Sequence, residues 1–308
     1  MEKIGCFIYT VSNDEMSNFK NDTFFGPNAV NSFKTYHPDI DLIYITDDNL
    51  QEYLTELNIT EYYDNLGILR IHIIKELMLQ QHYTKMIMLG ADTFTCARLD
   101  EFLEPTSSDM ICSLGPPYPF LKTEYWAPTV KSYTANNKTY HEVDFINADV
   151  VCFNNSKIVE ILYEKSLEYW TDHCEQGGMN YLYQNQDSLN IKVSIVDYPY
   201  FSSKVAYNVR SKGEASGGCQ MKDGNLYSGH YNDSNSKIIS QTYPTSEYIV
   251  KNNKLYTPEG KQIKAFHYAE ALAIKTKSEY DEVISEIKTL WFNTQTKEFL
   301  INKCNCKF

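Results

Sequence analysis

The stretch "KMIMLGADTFTCARLDEFL", residues 85 to 103, runs from an apolar burst into a polar corner with one acid, Asp92, two residues after Gly90. Farther along, "FINADVVCFNNS" turns a corner at Asn147 and Ala148. "NQDSLN" then opens a helix with Gln186 and Asp187, and the segment "KAFHY" ends a strand at His267. A carboxylate and an imidazole are donors that a divalent cation accepts. Acids and amides hydrogen-bond hydroxyl groups, which need both donors and acceptors. Taken singly, each residue has an ordinary reading: Asp92 as a turn former, His267 as a structural histidine, Asn147 and "NQD" as corner and capping residues. Only their order along one chain, and the elements that carry them, separate the two readings.

Those elements alternate. "KIGCFIYT" at 3 to 10 and "DLIYITDD" at 41 to 48 are apolar runs with polar ends, separated by the helix-like "NAVNSFKTYHP". Such a βαβ unit lines a ligand crevice with the carboxyl ends of its strands. In "GILRIHIIKELMLQQHY", Leu69, Ile73 and Leu77 share one helical stripe with Ile74 and Met78 beside it, so this helix packs on a sheet. The strand "KMIML" then brings Asp92 to the same crevice. A strand with its corner at Asn147 and Ala148 leads into a helix from near Ser156 that turns Ile158, Ile161 and Leu162 inward. Residues 211 to 230 are Gly-rich without periodicity, which predicts a mobile loop and an active-site lid. "EYIVKNNKLYTPEGKQIKAFHY" reads as a hairpin with turns at "NN" and "PEG". A Ser278-x-x-Asp281 capping box opens a helix with Tyr280, Val283, Ile284, Ile287 and Trp291 on one face. With no repeat and no linker, one α/β domain over 1–308 is expected, with a C-terminal hairpin and helix elaboration from about residue 245.

At 308 residues with 43% apolar content the chain can bury a large core. A net charge of -12 argues against a nucleic-acid binder, which needs a basic face. An anionic ligand would have to be held locally, by a metal, a few cations or helix N-termini. There are only three arginines, at 70, 98 and 210. The first residues hold no signal peptide and no run of about 18 apolar residues occurs, so no transmembrane segment and a cytoplasmic location are expected. The eight cysteines fall mostly inside apolar runs and read as reduced thiols, and "KCNCKF" lacks a second ligand pair at zinc spacing.

The order of segments resembles the GT-A fold glycosyltransferases, most closely the retaining family 8 group of glycogenin-like and bacterial galactosyltransferase-like enzymes, over residues 3 to 270. "FIYTVSND" resembles the first-strand motif and "YTKMIMLGADTFTCARLDEF" the stretch with Asp-x-Asp. "FINADVVCFNNS" resembles Phe-Asn-Ala/Ser-Gly-Val, "NQDSLN" resembles Asp-Gln-Asp-x-Leu-Asn, and "KAFHYAEALAIK" the closing His-containing strand.

The resemblance implies a GT-A type α/β fold, a Rossmann-like mixed central sheet flanked by helices. It implies transfer of a sugar from a nucleotide-diphosphate sugar, a UDP-sugar, with retention, to a glycan, protein or small-molecule acceptor that the sequence does not identify. Mn²⁺ or Mg²⁺ would bridge the diphosphate and stabilise the departing group, held by Asp92 and His267. Thr10 and Ser12 match base-contacting positions. Arg70 or Lys75 stands where the family places a cation near the donor. Asn147, Ala148, Gln186 and Asp187 would hold the sugar, with Gln186 beneath the anomeric carbon as a modest electrostatic stabiliser. Three departures stand out: Gly90 replaces the first acid of Asp-x-Asp, Asp149 stands where Gly is usual, and Asn185 where Asp is usual. Gly90 leaves open fewer protein ligands with more water, a metal-independent site, or a catalytically inactive nucleotide-sugar or carbohydrate-binding module. A sugar nucleotidyltransferase would need a Gly-rich basic loop after its first strand, and "TVSNDEMSNF" has none.

Overall fold

The computed structural model describes residues 2–11, 22–61, 63, 65–115, 131–135, 138–142, 145–169, 175–196, 219–222, 225–228, 240–241, 248–257, 260–267 and 277–308. The first strands are β1 (Ile4–Thr10), β2 (Asp41–Thr46), β3 (Lys85–Gly90), β4 (Thr93–Thr95) and β5 (Met110–Gly115). There follow β6 (Lys131–Ala135), β7 (Lys138–Glu142), β8 (Phe145–Phe153) and β9 (Val193–Val196). The helices among them are α1 (Phe25–Tyr36), α2 (Leu50–Glu56), α3 (Leu66–Gln80), α4 (Asp100–Leu103), α5 (Ser156–Tyr169), α6 (Glu175–Gln184) and the single turn α7 (Gln186–Leu189).

Six strands form the central sheet in the order β2-β1-β3-β8-β5-β9. β1 pairs parallel with β2 and β3, and β5 parallel with β9, while β8 runs antiparallel to both of its neighbours. β1 and β3 are continuous apolar runs because both faces of the sheet are covered. Phe7, Met86 and Met88 pack toward Ile73 and Leu77 of α3. Cys6, Ile8, Ile87 and Leu89 pack toward Ala29 and Phe33 of α1. The expected mixed α/β sheet flanked by helices is present.

Between β8 and β5 the register jumps: Cys112 pairs with Val151, but Ser113 pairs with Asn147. Ala148, Asp149 and Val150 thus lack partners on β5, an irregularity of the kind that bends a strand and re-aims its side chains. It falls at the sheet edge where β1 and β3 end.

The remaining strands are β10 (Cys219–Lys222), β11 (Asn225–Ser228), β12 (Ser240–Gln241), β13 (Ile249–Lys251), β14 (Lys254–Tyr256), β15 (Gln262–Ile263) and β16 (Ala265–His267). β10 and β11 pair within the stretch expected to be a loop, while 211–218 lies outside the described residues. The pair runs antiparallel from Cys219 opposite Ser228 to Lys222 opposite Asn225, too short for its alternation to stand out among the flanking glycines of the sequence. The hairpin around "NN" is present, with Asn252 and Asn253 both at positive φ, as a two-residue type I′ turn requires. β16 returns to pair antiparallel with β4.

The expected helix at 278 runs Lys277–Glu286 and loosens into a π turn at Ile287–Trp291 before a last helix, Thr294–Cys304. Phe299 and Leu300 join Phe24, Phe25, Phe94 and Phe266 in an apolar cluster that ties the end of the chain to α1 and β4. Cysteines 6, 96, 112, 152, 304 and 306 are free and buried. Among the described residues, no helix is long and apolar enough to cross a membrane.

Candidate active site

Asp92 sits in the two-residue turn between β3 and β4, 3% exposed. The pairing of β16 with β4 sets His267 opposite Thr93, so the imidazole-bearing position lies one residue from Asp92 although 175 residues separate them in sequence. The His267 side chain lies outside the description, as does that of Asn147, whose strand position is opposite Ser113.

Gly90 is explained by its neighbour. Leu89 pairs with Val150, so Gly90 stands across from Asp149 on β8. A Cβ built on Gly90 would lie 2.6 Å from Asp149 Oδ1 and 2.8 Å from its Cβ, closer than such atoms pack. The Asp149 carboxylate fills the space a side chain at 90 would take. Thr93 Oγ1 donates to the Asp149 carbonyl at 3.3 Å, which ties this strand to the turn that carries Asp92.

Arg70 completes the cluster. α3 starts at the carboxyl edge of the sheet, capped by Asn65, whose side chain accepts from Gly67 N at 2.8 Å. Arg70 therefore lies about a turn inside that edge. Its guanidinium bonds Glu175 directly and stands 3.8 Å from Asp149 Oδ1. The side chains of Arg70, Glu175 and Asp149 are 12%, 10% and 17% exposed. Burial opposes the Arg70 charge, but the Glu175 and Asp149 carboxylates outweigh it and hold the guanidinium above its ordinary pKa. Gly67 is glycine for a local reason: a Cβ there would strike the Glu175 carboxylate.

Tyr9, at the end of β1, is 8% exposed, and its hydroxyl has no hydrogen-bond partner among the described residues. Burial raises its pKa well above the ordinary value, and Arg70, Asp47 and Glu175 are the charges that act on it. It stays a neutral hydroxyl aimed among charged groups.

The other expected residues divide. Thr10 is buried and its hydroxyl donates to the Tyr44 hydroxyl at 3.1 Å, so it holds β1 to β2. Ser12 lies outside the described residues. Ala148 is buried on β8 next to Asp149. Lys75 lies five residues beyond Arg70, roughly 7 Å farther from the edge along α3. It pairs with Glu76 at 2.9 Å and caps the Tyr163 ring at 4.5 Å, so of the two cations only Arg70 joins the cluster.

Gln186 and Asp187 do not join it either. Gln186 Nε2 donates to Tyr183 O at 2.9 Å, and Gln186 Oε1 accepts from Val193 N at 2.7 Å, so both ends of the amide serve the backbone. Val193 aligns with Met110, Met110 with Phe153 and Phe153 with Met86, at the amino end of β3. Gly90 is four residues up that strand, roughly 13 Å away along it. Asp187 is exposed beside Gln186 in a shallow depression of about 450 Å³ shared with Tyr183 and Lys192, at the edge opposite Asp92. Gln186→Ala is expected to leave Val193 N unpaired, at a cost of about 1–3 kcal/mol in urea unfolding, with steady-state turnover unchanged.

The residues missed are Glu175, Gln176 and Asn180. "EQGGMN" has the Gln-x-x-apolar-Asn spacing of "NQDSLN" ten residues ahead of it, with an acid, Glu175, where the later segment has Asn185. Its Asn180 is fully buried and accepts from Ile146 N at 2.8 Å, and Gln176 Nε2 donates to Ile146 O at 3.0 Å. α6 thus clamps β8 just before Asn147 and Asp149, with Glu175 on Arg70.

The donor types at this edge, carboxylate oxygens beside an imidazole position, suit Mn²⁺ or Mg²⁺. Among the described residues, no three His, Cys, Asp or Glu side chains already converge at metal-binding distance.

No family model matches the chain, and no curated protein matches it. Among solved structures, the apo WbbM bifunctional glycosyltransferase is similar over 97% of this chain, at 13% identity and a TM-score of 0.45. That match spans 51% of the WbbM chain, about half its length. The galactosyltransferase LgtC, with donor and acceptor sugar analogues, is similar over 96% of this chain and 99% of its own, at 11% identity and a TM-score of 0.40. Mouse xyloside xylosyltransferase 1 is similar over 77% of this chain and 99% of its own, at 10% identity and a TM-score of 0.38.

Proposed function

We propose that the chain is a GT-A type glycosyltransferase that moves a sugar from a nucleotide-diphosphate sugar, a UDP-sugar, to an acceptor with retention of configuration. One observation carries the reading: the β4–β16 register sets the His267 position one residue from Asp92, at the edge where β1, β2 and β3 end. Two donor positions far apart in sequence meet where an α/β sheet binds its ligand.

In this reading Asp92 and His267 would hold Mn²⁺ or Mg²⁺, which when bound neutralises the diphosphate of the departing nucleotide. Arg70, fixed by Glu175, orients the donor and keeps a positive field at an otherwise acidic edge. The hydroxyl-binding role assigned by resemblance to Gln186 and Asp187 passes to Gln176 and Glu175, on the first turn of α6. Gln176, whose Nε2 is spent on Ile146 O, presents its amide oxygen to the sugar, and its dipole stabilises charge that develops at the anomeric carbon. The acceptor proton leaves with the donor phosphate oxygen, so no strong protein base is required. The backbone of β8 at Asn147 and Ala148 forms the wall of the sugar site.

The test is a calorimetric and product-release screen of the purified chain with Mn²⁺ and UDP-, GDP- and CDP-sugars. Release of UDP from a UDP-sugar is expected. Failure to bind or cleave any of them overturns the proposal. Donor bound tightly but turned over with no acceptor favours a binding module, the reading that the glycine at 90 first suggested.

A further inference from the structure

Asp22 and Tyr280 stand 258 residues apart in sequence and meet at the first turn of α1. The Asp22 carboxylate serves the backbone there. Its Oδ1 accepts from Phe24 N at 3.0 Å and from Phe25 N at 2.9 Å, and its Oδ2 accepts from Gly26 N at 2.6 Å. These are donors that a helix start leaves unpaired, and an acid is favoured beside them. The Tyr280 hydroxyl, on the helix Lys277–Glu286, donates to the same Oδ1 at 2.5 Å and accepts from Thr23 N at 3.3 Å. Burial first, and then the Asp22 charge, raise the Tyr280 pKa, so the hydroxyl keeps its proton to donate. Its ring meets Phe25 edge-on, with 6.1 Å between centroids.

This first turn presses on the ends of two strands. A Cβ built on Gly26 would strike the Tyr44 hydroxyl and lie 2.8 Å from Thr10 Cγ2, so the backbone of α1 stands directly against both side chains. Thr10 Oγ1 in turn donates to the Tyr44 hydroxyl at 3.1 Å, across the ends of β1 and β2. A chain of direct contacts therefore runs from Tyr280 through Asp22, Gly26 and Tyr44 to Thr10, and close packing passes a shift in one member to the next. We infer that Tyr280 is a positioning residue for the nucleotide: by bonding Asp22 it sets how α1 stands against Tyr44 and Thr10, and so holds the end of β1. That strand end is the one the transferase reading gives to the nucleotide base, so the inference deepens that reading and rests on it. The same C-terminal region also grips the body of α1, where Asn28 Nδ2 donates to Lys307 O at 3.0 Å and Asn28 Oδ1 accepts from Lys307 N at 2.6 Å. That clamp does not use the Asp22 carboxylate, which makes it the control.

The test compares the full-length parent with Tyr280→Phe, Asp22→Asn, the double variant D22N/Y280F and the control Asn28→Ala. Each is titrated with UDP and Mn²⁺ by calorimetry, assayed for UDP-sugar cleavage, melted, and followed by amide hydrogen exchange without ligand. Tyr280→Phe is expected to weaken UDP binding and raise KM by about fivefold to tenfold, the low end of coupling between distant groups. Its kcat should stay within about twofold of the parent, because no group at the reacting atoms is touched. Exchange should be at least about tenfold faster at Phe24, Phe25 and Gly26 and measurably faster at Thr10, with β3 unchanged. The double variant should bind UDP no worse than Asp22→Asn alone, the mark of a shared interaction. Asn28→Ala should lower the melting temperature and leave UDP affinity as it was. UDP affinity within about twofold of the parent in Tyr280→Phe, an equal loss in Asn28→Ala, or additive losses in the double variant overturns the inference. If none of the proteins binds UDP, the parent included, the transferase reading falls. Exchange at Thr10 then decides the rest: faster in Tyr280→Phe, it keeps the hold of Tyr280 on the end of β1, and unchanged, it removes that as well.

Discussion

Arg70→Met is expected to lower the stability of the fold by about 3–5 kcal/mol and to abolish sugar transfer, because it breaks a buried ion pair from the cationic side. The guanidinium bonds Glu175 and faces Asp149, and all three side chains lie largely out of water. Methionine matches the length of the stem, so the loss is one of charge and hydrogen bonds more than of packing. Two carboxylates beside Tyr9 then lose the guanidinium charge that offsets their desolvation. Arg70→Lys should recover only part, since an ammonium cannot present a planar fork toward two partners. Arg70→Met with Glu175→Gln should be more stable than Arg70→Met alone, because the stranded charge is gone. Urea unfolding of the four proteins at pH 7 reads all of these. An Arg70→Met variant within 1 kcal/mol of the parent would show that the cluster is solvated and that our account of it is wrong.

The parts of the fold legible in the sequence are those specified by local pattern. β1 and β3 are apolar without alternation because helices cover both sheet faces, and the α3 stripe and the "NN" turn each state their own geometry within a few residues. The site was harder, because its contacts are tertiary. Whether Arg70 or Lys75 faces the crevice depends on how far α3 extends past the sheet edge, a distance that helical periodicity does not encode. "NQDSLN" is a closer string match to the family segment than "EQGGMN", yet only the latter lies at the carboxyl edge. The deciding fact is the length of α6, ten residues that carry the chain from one edge of the sheet toward the other. Gly90 and Asp149 looked like two unrelated departures until the register of β3 on β8 set them side by side. A register is a pairing between distant segments, and neither strand states it alone.

Asp92→Asn separates the chemistry from the scaffold most sharply. The residue is buried in the turn between β3 and β4, and asparagine has nearly its shape, so packing is conserved while the charge is removed. A neutral amide oxygen is a far weaker partner for a hard cation than a carboxylate, and it offers no charge to balance the diphosphate's counter-ion. Turnover of the UDP-sugar is expected to fall by about a hundredfold or more, the upper range for loss of a metal-site group, with the melting temperature within about 3 °C of the parent. The deficit should shrink as Mn²⁺ is raised, because weakened binding can be driven by mass action. The same change at Asp187, on the opposite edge, should leave turnover as it was. If Asp92→Asn turns over like the parent at limiting Mn²⁺, the carboxylate is a turn residue and the active site lies elsewhere. If both variants lose activity without unfolding, the two edges are coupled in a way that the strand register does not provide.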